Sequence, residues 1–300
     1  MPKYRKGLFL YNGNAGNNNI EQNLKLTLPV LAQAIKELTV IQTASEEEAQ
    51  ESCRTFAKDI DILIILGGDG TVNACINSLA PLEKRPAVAI LPGGTSNDFS
   101  RMLGIPQQLE QAAYAIVRGE PTAIDIGKTG EKYFLNFWGI GLVADTSQNI
   151  DDDQKRSFGV FSYIMSTLRT VSQTEPFPYE ITTGEQTYTG EAVMVIVLNG
   201  KFLGTRELPV PTIDPSDGKF DVLIVKDSTI ATFRELLSMN NPNTEQSQLS
   251  DLEHFQTDKL TVAADHPKSV DMDGEITGST PAEIEVLPGH IQLIQAPAFS

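Results

Sequence analysis

Hydrophobic and polar positions change rhythm once along this chain. Through Glu120, apolar runs alternate with amphipathic ones. "GLFLY" reads as a strand, "IEQNLKLTLPVLAQAIKEL" as a helix interrupted by Pro29, and "LTVIQT" as a second strand. "SEEEAQESCRTFAKD" reads as a helix with an acidic first turn, "IDILIIL" as a buried strand, "TVNACINSLA" as a helix and "PAVAIL" as another strand. "SNDFSRMLG" opens a helix that continues through "LEQAAYAIVRG". Continuously apolar strands alternating with helices predict a parallel sheet covered on both faces, an α/β domain.

After "GEPTAIDIG" the pattern becomes a series of short strand-like segments with turn residues between them, among them "KYFLNFWGIG", "GEAVMVIVLNG", "KFDVLIVKD", "SVDMDGE" and "AEIEVLPG". This predicts a mainly antiparallel, β-rich second domain with two helical insertions, "FGVFSYIMSTLRTV" and "TIATFRELLSM". The boundary falls near Pro121–Asp125. "NNPNTEQSQLSD" is polar and turn-rich and reads as a surface loop.

Composition narrows the picture. A chain of 300 residues, 40% hydrophobic and 21% charged, has room for two globular domains. The net charge of −16 argues against nucleic acid as a partner, because phosphate neutralisation needs basic surface. It also opposes anionic membranes unless basic residues gather on one face. Cys53 and Cys75 are too few and too far apart for a metal knuckle, and point to a reducing compartment. The apolar run after Met1 is too short for a signal peptide, and none approaches the roughly 18–20 residues of a membrane span. The expected location is cytoplasmic. His254, His266 and His290 lack metal-ligand spacing and read as surface or loop residues.

The candidate chemistry lies in three glycine-bearing loops, each after a strand of the first domain: "YNGNAGNNN", "GGDGT" and "PGGTSND". In a parallel sheet all three fall at one edge, where open α/β folds bind ligands. Glycine lets backbone approach an anion, and a following helix N-terminus supplies free N–H groups. Thr71, Thr95, Ser96 and Asn97 add side-chain donors. Neither standard nucleotide signature, G-x-x-x-x-G-K-[ST] or G-x-G-x-x-G, is present. Asp69 stands inside a glycine turn. A carboxylate there repels bare phosphate but can hold Mg²⁺ against one. Asp98 and Asp125 offer further carboxylates. The alternative is glycine used for turn geometry alone, with the aspartate as a helix cap. In the second domain, Asp273 and Glu275 of "DMDGE" suit a general base and its partner. On a strand, positions i and i+2 share a face, so both could reach one cleft. The competing reading is an acidic β-turn.

"GGDGTVN" with "LPGGTSNDFSR" resembles the lipid kinases with a diacylglycerol kinase catalytic domain, relatives of sphingosine kinases and, more distantly, NAD kinases. "FLNFWGIGLVAD", "KRSFGVFSY", "LNGKFLGTRELPVPTIDPSDGKFDVLIVK" and "DMDGE" resemble segments of the same family, nearly end to end. The resemblance implies a NAD kinase/diacylglycerol kinase-like fold. Residues 1–122 with a returning segment 289–300 would bind ATP, and residues 123–288 the lipid. "LPG" at 287–289 reads as the turn that carries the chain back. Asn12, Gly13, Asn14, Ala15, Gly16, Thr43, Gly67, Gly68, Asp69, Gly70, Thr71, Val72, Asn73, Gly94, Thr95 and Asn97 would line the nucleotide. Asp69, Asp98 and Asp125 would hold the catalytic Mg²⁺. Asp273 or Glu275 would take the proton of the lipid hydroxyl, Glu275 being the favoured base. The "DPSDGKF" turn would hold a structural cation through Asp217 and carbonyls near Asp214 and Lys219.

Three departures stand out. Ala74 replaces the family's usual Glu, Ser100 replaces Ala, and "FLGTRELPVP" shortens a glycine-rich stretch. The expected activity is Mg·ATP-dependent phosphorylation of a diacylglycerol-like lipid. A kinase for another hydroxylated lipid such as phosphatidylglycerol, one for a soluble acceptor, and an ATP-binding module without turnover are the alternatives. Trp138 and Phe137 read as core. In "KRSFGVFSYIMSTLR", Lys155, Arg156 and Arg169 bracket apolar residues, which suits either a shallow membrane contact or a helix packed on its own domain. Peripheral membrane contact and homodimer formation are both compatible with this reading.

Overall fold

The structure, a computed structural model, describes residues 2–13, 19–149, 175–240 and 249–297. Asn14, Ala15, Gly16, Lys155, Arg156 and Arg169 lie outside them, as does the helix expected at "FGVFSYIMSTLRTV". The chain divides into two compact units, Met1–Ile124 with Gly289–Ser300, and Asp125–Pro288.

The first unit alternates strand and helix: β1 (Tyr4–Asn12), α1 (Ile20–Ala34), β2 (Ile35–Thr43), α2 (Glu46–Phe56), β3 (Ile62–Gly67), α3 (Asp69–Leu79), β4 (Ala87–Pro92), α4 (Asp98–Met102) and α5 (Leu109–Arg118). The strands run parallel in the order β2-β1-β3-β4. Strand order reverses at β1: β2 lies on one side of it and β3 on the other. Right-handed crossovers then put α1 on one face and α2 and α3 on the other. α1 packs with α5 and α2 with α3. β3 is buried throughout, which is why "ILIIL" is apolar without alternation. Cys53 of α2 and Cys75 of α3 are buried and free; the neighbouring Cys53 thiol and burial push the Cys75 thiol well up.

Three boundaries differ from the pattern-based expectation. α1 ends at Ala34, and Ile35–Leu38 are strand because β2 pairs with the whole length of β1 from Tyr4 to Asn12. The helix expected to run from "SNDFSRMLG" into "LEQAAYAIVRG" is two helices, broken where Gly104 adopts φ 69° ahead of Pro106. "LPG" is no turn: the strand Ala282–Gln295 runs through it, bent at Gly289 with φ 56°. The end of that strand pairs in parallel with β4, Leu293 opposite Val88, so this C-terminal segment belongs to the first sheet.

The second unit continues with β5 (Glu120–Thr129), β6 (Lys132–Phe134), β7 (Phe137–Gly141), α6 (Leu142–Asn149), β8 (Phe177–Thr183), β9 (Thr187–Ala192), β10 (Met194–Leu198), β11 (Phe202–Leu203) and β12 (Arg206–Glu207). Then follow β13 (Phe220–Val225), α7 (Ile230–Ser238), β14 (Leu252–Thr257), β15 (Lys259–Ala264), β16 (Ser269–Met272), β17 (Glu275–Ser279) and β18 (Ala282–Gln295). An antiparallel sheet in the order β14-β13-β10-β7-β16-β17 forms one layer. β9, β8, β15 and the first half of β18 form the other. β10 explains the strand pattern "MVIVL". Val195 and Val197 enter the inter-sheet core with Trp138, Phe220 and Ile181. Met194, Ile196 and Leu198 enter a second core with Phe137, Val143 and Leu236. Both faces of the sheet are covered, so alternation in polarity vanishes although the side chains still alternate in direction. Phe137 and Trp138 are core residues, 3% and 0% exposed. Among the described residues, no helix is long and apolar enough to cross a membrane.

Candidate active site

In the first unit, β1, β2 and β3 each end, at the carboxyl edge of the sheet, on a residue expected at the nucleotide. Asn12 ends β1 opposite Thr43, which ends β2. Thr43 is buried; its hydroxyl donates to the Tyr11 carbonyl at 3.4 Å and its own carbonyl accepts from the Gly13 amide at 2.9 Å. Gly67 ends β3 opposite Pro92, which ends β4. The strand order switches between β1 and β3, so the loop beginning at Gly13 and "GGDGT" flank the crevice at which open sheets take ligands.

The glycines have a steric reason. A Cβ on Gly94 would stand 2.5 Å from Gly68 Cα, and one on Gly93 would stand 3.0 Å from Gly67 N. The Gly93 amide donates to the Gly67 carbonyl at 2.9 Å. "GGDGT" and "PGGT" therefore touch backbone to backbone. Gly94→Ala is expected to force the two loops apart, costing about 1–3 kcal/mol as overpacking does. Gly70→Ala, whose new Cβ would meet only Glu46 Oε1 at 3.5 Å, is expected to leave thermal stability unchanged. Melting curves of the two variants check the contrast.

The helices at this edge are capped differently. Ser45 caps α2 by accepting from the Glu48 amide at 3.3 Å, and Glu48 reaches back to the Ala44 amide at 2.8 Å. α3 has Gly68 at its cap position, and its first turn therefore has no side-chain cap. Asp69 is the first residue of α3 and accepts from the Phe99 amide at 3.3 Å, tying α3 to α4. Asn97 adopts the left-handed conformation with φ 53°, which Asn tolerates well. Its side chain accepts from the Gly94 amide at 2.7 Å and donates to the Gly94 carbonyl at 2.9 Å. Asn97 thus staples the loop, while Gly94 and Thr95 are exposed. Asp98 is buried. Ser100, the departure from Ala, is fully buried and used: its hydroxyl donates to the Asn97 carbonyl at 2.9 Å and accepts from Gln107 at 3.0 Å. Ala74 is buried in α3, 5% exposed.

In the second unit, "DMDGE" is a tight hairpin between β16 and β17, with Met272 paired to Glu275. Asp273 and Gly274 form the loop with φ 53° and 94°, as the Asp-Gly hairpin signal predicts. Asp273 is therefore not on a strand, and the expectation that it shares a strand face with Glu275 does not hold. Asp273 Oδ1 accepts from the Asn136 and Phe137 amides at 2.9 and 3.0 Å, and Oδ2 from Leu135 at 2.8 Å. Asp271, fully buried, accepts from the Gly274 amide at 2.8 Å. Glu275 is exposed.

Asp125 is nearly fully buried and accepts from the Gly218 amide at 2.7 Å, inside the "DPSDGKF" turn. The Asp125 amide donates to the Pro215 carbonyl at 2.7 Å. Asp217 accepts from the Lys219 amide at 2.9 Å, and Asp214 from the Ser216 amide and hydroxyl. Partial desolvation raises the Asp217 carboxyl above its ordinary range; the Lys219 amide opposes this, and the charges of Asp214, Asp221 and Asp125 add to it. Among the described residues, no three acidic, His or Cys side chains converge on a metal position. A set of one carboxylate with backbone carbonyls, as expected for Asp217 with Asp214 and Lys219, does not require such a convergence. The turn's surplus of negative charge fits a cation.

Sequence reading missed one cluster. His254 is not a plain surface residue: its Nε2 lies 2.7 Å from Asp221 Oδ1, and the buried Asp221 also receives the Thr212 hydroxyl and Gln256 at 3.3 Å. His254 and Gln256 alternate along β14, but nothing in the sequence aligns them with Asp221 on β13. His290 lies 2.8 Å from the Ala80 carbonyl. His266 is exposed.

Comparison with known proteins decides the family. Residues 6–129 match the diacylglycerol kinase catalytic domain, and residues 139–295 match the YegS C-terminal NAD kinase beta sandwich-like domain. The chain belongs to the diacylglycerol kinase catalytic-domain family. Family members from several Staphylococcus aureus strains, named "Putative lipid kinase", are 33% identical over 297 residues, 97% of each chain. A crystal structure described as a putative diacylglycerol kinase from Bacillus anthracis shares 40% identity over the full length of both chains, with a TM-score of 0.91. Another diacylglycerol kinase structure from that organism shares 39% identity over 99% of each chain, with a TM-score of 0.87. These matches make the chain a kinase of the lipid-kinase type, with the α/β and β-rich units its family carries.

Proposed function

We propose that this chain transfers the γ-phosphoryl group of ATP, with Mg²⁺, to the free hydroxyl of a diacylglycerol-like lipid, giving a phosphatidic-acid-like product. The observation that carries the reading is the head of α3. It has no side-chain cap, it follows a backbone-to-backbone contact of two glycine loops at the sheet's switch point, and Asp69 is its first residue. Amides left uncapped there suit phosphate oxygens. Phosphoryl transfer is chiefly positioning and charge neutralisation, so such a cradle is most of what the reaction asks of a protein.

Mg²⁺, when bound, neutralises phosphate charge. Asp69 and Asp98 would hold it, directly or through water. Asn12, Gly13, Thr43, Gly67 to Asn73, Gly94, Thr95 and Asn97 would line the nucleotide. Of the two candidate bases, Glu275 is favoured. The Asp273 carboxylate accepts from three backbone amides, which suits holding rather than taking a proton. Glu275 takes the lipid hydroxyl proton as that oxygen bonds to the γ-phosphorus. The bond from phosphorus to the β-phosphate oxygen breaks, and ADP leaves. A second cation, held by Asp217 and carbonyls near Asp214 and Lys219, would relieve the carboxylate crowding of that turn.

The test is label transfer from γ-labelled ATP to a panel of diacylglycerol, phosphatidylglycerol, a soluble polyol and a nucleoside monophosphate. Label on diacylglycerol is expected. Label on phosphatidylglycerol alone would move the acceptor within the lipid class. Label only on a soluble acceptor, or nowhere, would overturn the lipid reading.

A further inference from the structure

From the hydrogen bonding of the second unit we infer that Asn199 is a positioning residue for the reaction, acting through the Asp273 clamp on Glu275. The inference rests on the proposed role of Glu275 as base. The Asn199 side-chain amide donates to two carbonyls, Asp125 at 2.9 Å and Leu135 at 2.7 Å. Its backbone amide and that of Gly200 both donate to the Asn136 carbonyl, at 2.8 and 2.9 Å. The segment Leu135–Phe137 is therefore held from one side by Asn199–Gly200. From the other side its three amides hold the Asp273 carboxylate in the hairpin loop, and Glu275 follows two residues later. One unbroken path of bonds runs from the Asp125 backbone through Asn199 and Leu135–Phe137 to the hairpin. At its other end Asp125 bonds the Gly218 amide of the acidic turn.

Two features of this path are not explained by stability alone. Asn199 is 1% exposed, and its amide oxygen is buried without a protein partner, as is that of Asn136. A residue chosen only for stability would not leave acceptors unpaired. Asn199 keeps the amide because both of its N–H donors are needed at once, and no other small side chain supplies two. The neighbouring position must be glycine: a Cβ on Gly200 would stand 1.7 Å from Asn136 Oδ1. These contacts fix the height of the Leu135–Phe137 backbone, hence of the Asp273 clamp, hence of the Glu275 carboxylate. Displacement of a reacting group by about 1 Å can cost on the order of 100-fold in rate.

The experiment is a kinetic cycle on the full-length protein with γ-labelled ATP and diacylglycerol in mixed micelles: wild type, Asn199→Ala, Glu275→Gln and the double variant. Asn199→Ala is expected to lower kcat about 10- to 100-fold while KM for ATP and lipid stays within about two-fold. In the Glu275→Gln background the same change is expected to add less than about three-fold, because effects that act through one group are not additive. Wild-type kcat in a folded Asn199→Ala protein, or an equal loss in both backgrounds, overturns the positioning role and leaves the base intact. Wild-type kcat in Glu275→Gln overturns the base assignment and this inference with it. Should Asn199→Ala fail to fold, Asp273→Asn replaces it in the cycle, since Asn tolerates the left-handed turn conformation and weakens the same clamp. The same outcomes then decide.

Discussion

Asp69→Asn is expected to reduce phosphoryl transfer by about 10³-fold or more while leaving the melting temperature unchanged. The side chain does two things that the substitution separates. As a hydrogen-bond acceptor it holds the Phe99 amide at 3.3 Å and so ties the head of α3 to α4. The amide oxygen of Asn can do the same, so the loop geometry survives. As a carboxylate it is the only acid in the first turn of an uncapped helix. There its charge offsets phosphate only by way of a cation, and Asn cannot hold one as firmly. Loss of transition-state charge compensation falls on kcat rather than on nucleotide affinity. Initial rates at saturating ATP and Mg²⁺, with a melting curve of each protein, check this. A variant that retains turnover within ten-fold of wild type would remove Asp69 from the chemistry. A variant that melts early would mean that the Phe99 bond depended on the charge.

The first unit was largely legible from the sequence because its signals are local. "ILIIL" and "AVAIL" are apolar without alternation, which a strand buried on both faces requires. Two of the misread boundaries are places where long-range pairing overrode local preference. Ile35–Leu38 carry helix-compatible residues, yet the register of β2 on β1 extends them. The Leu293 pairing to Val88 joins residues far apart in sequence, and no window of pattern contains both.

The site was legible in part, and the division follows the same logic. The loops "GGDGT" and "PGGT" announce themselves by glycine. Their steric need is visible only once β3 and β4 are side by side, with Gly94 against Gly68. The sequence offered Asp273 and Glu275 as candidates for the base and favoured Glu275, without a structural reason to separate them. What separates them is the left-handed turn and three amides from residues 135–137, none of which a strand periodicity could supply. Asn199 stood inside a segment that resembled the family's N-G motif, yet its role lies in partners at 125, 135 and 136. His254 failed in the opposite direction: an unremarkable position in sequence is bonded to a buried aspartate on the adjacent strand.

Glu275→Gln is expected to lower kcat by about 10²- to 10⁴-fold, the usual worth of a general base, with KM for ATP and lipid little changed. The substitution keeps size and hydrogen-bonding reach, and Glu275 is exposed at the first position of β17, so the fold has no stake in its charge. Asp273→Asn makes the opposite test at the same hairpin. Asn tolerates the φ of 53° and still accepts hydrogen bonds, but with one oxygen in place of two it cannot satisfy all three amides of Leu135, Asn136 and Phe137. Its loss should therefore be smaller than that of Glu275→Gln and accompanied by a lower melting temperature, since buried amides lose a partner. Should Asp273→Asn lose more of the rate than Glu275→Gln, the base is Asp273 and the amides around it serve to orient a carboxylate that reacts.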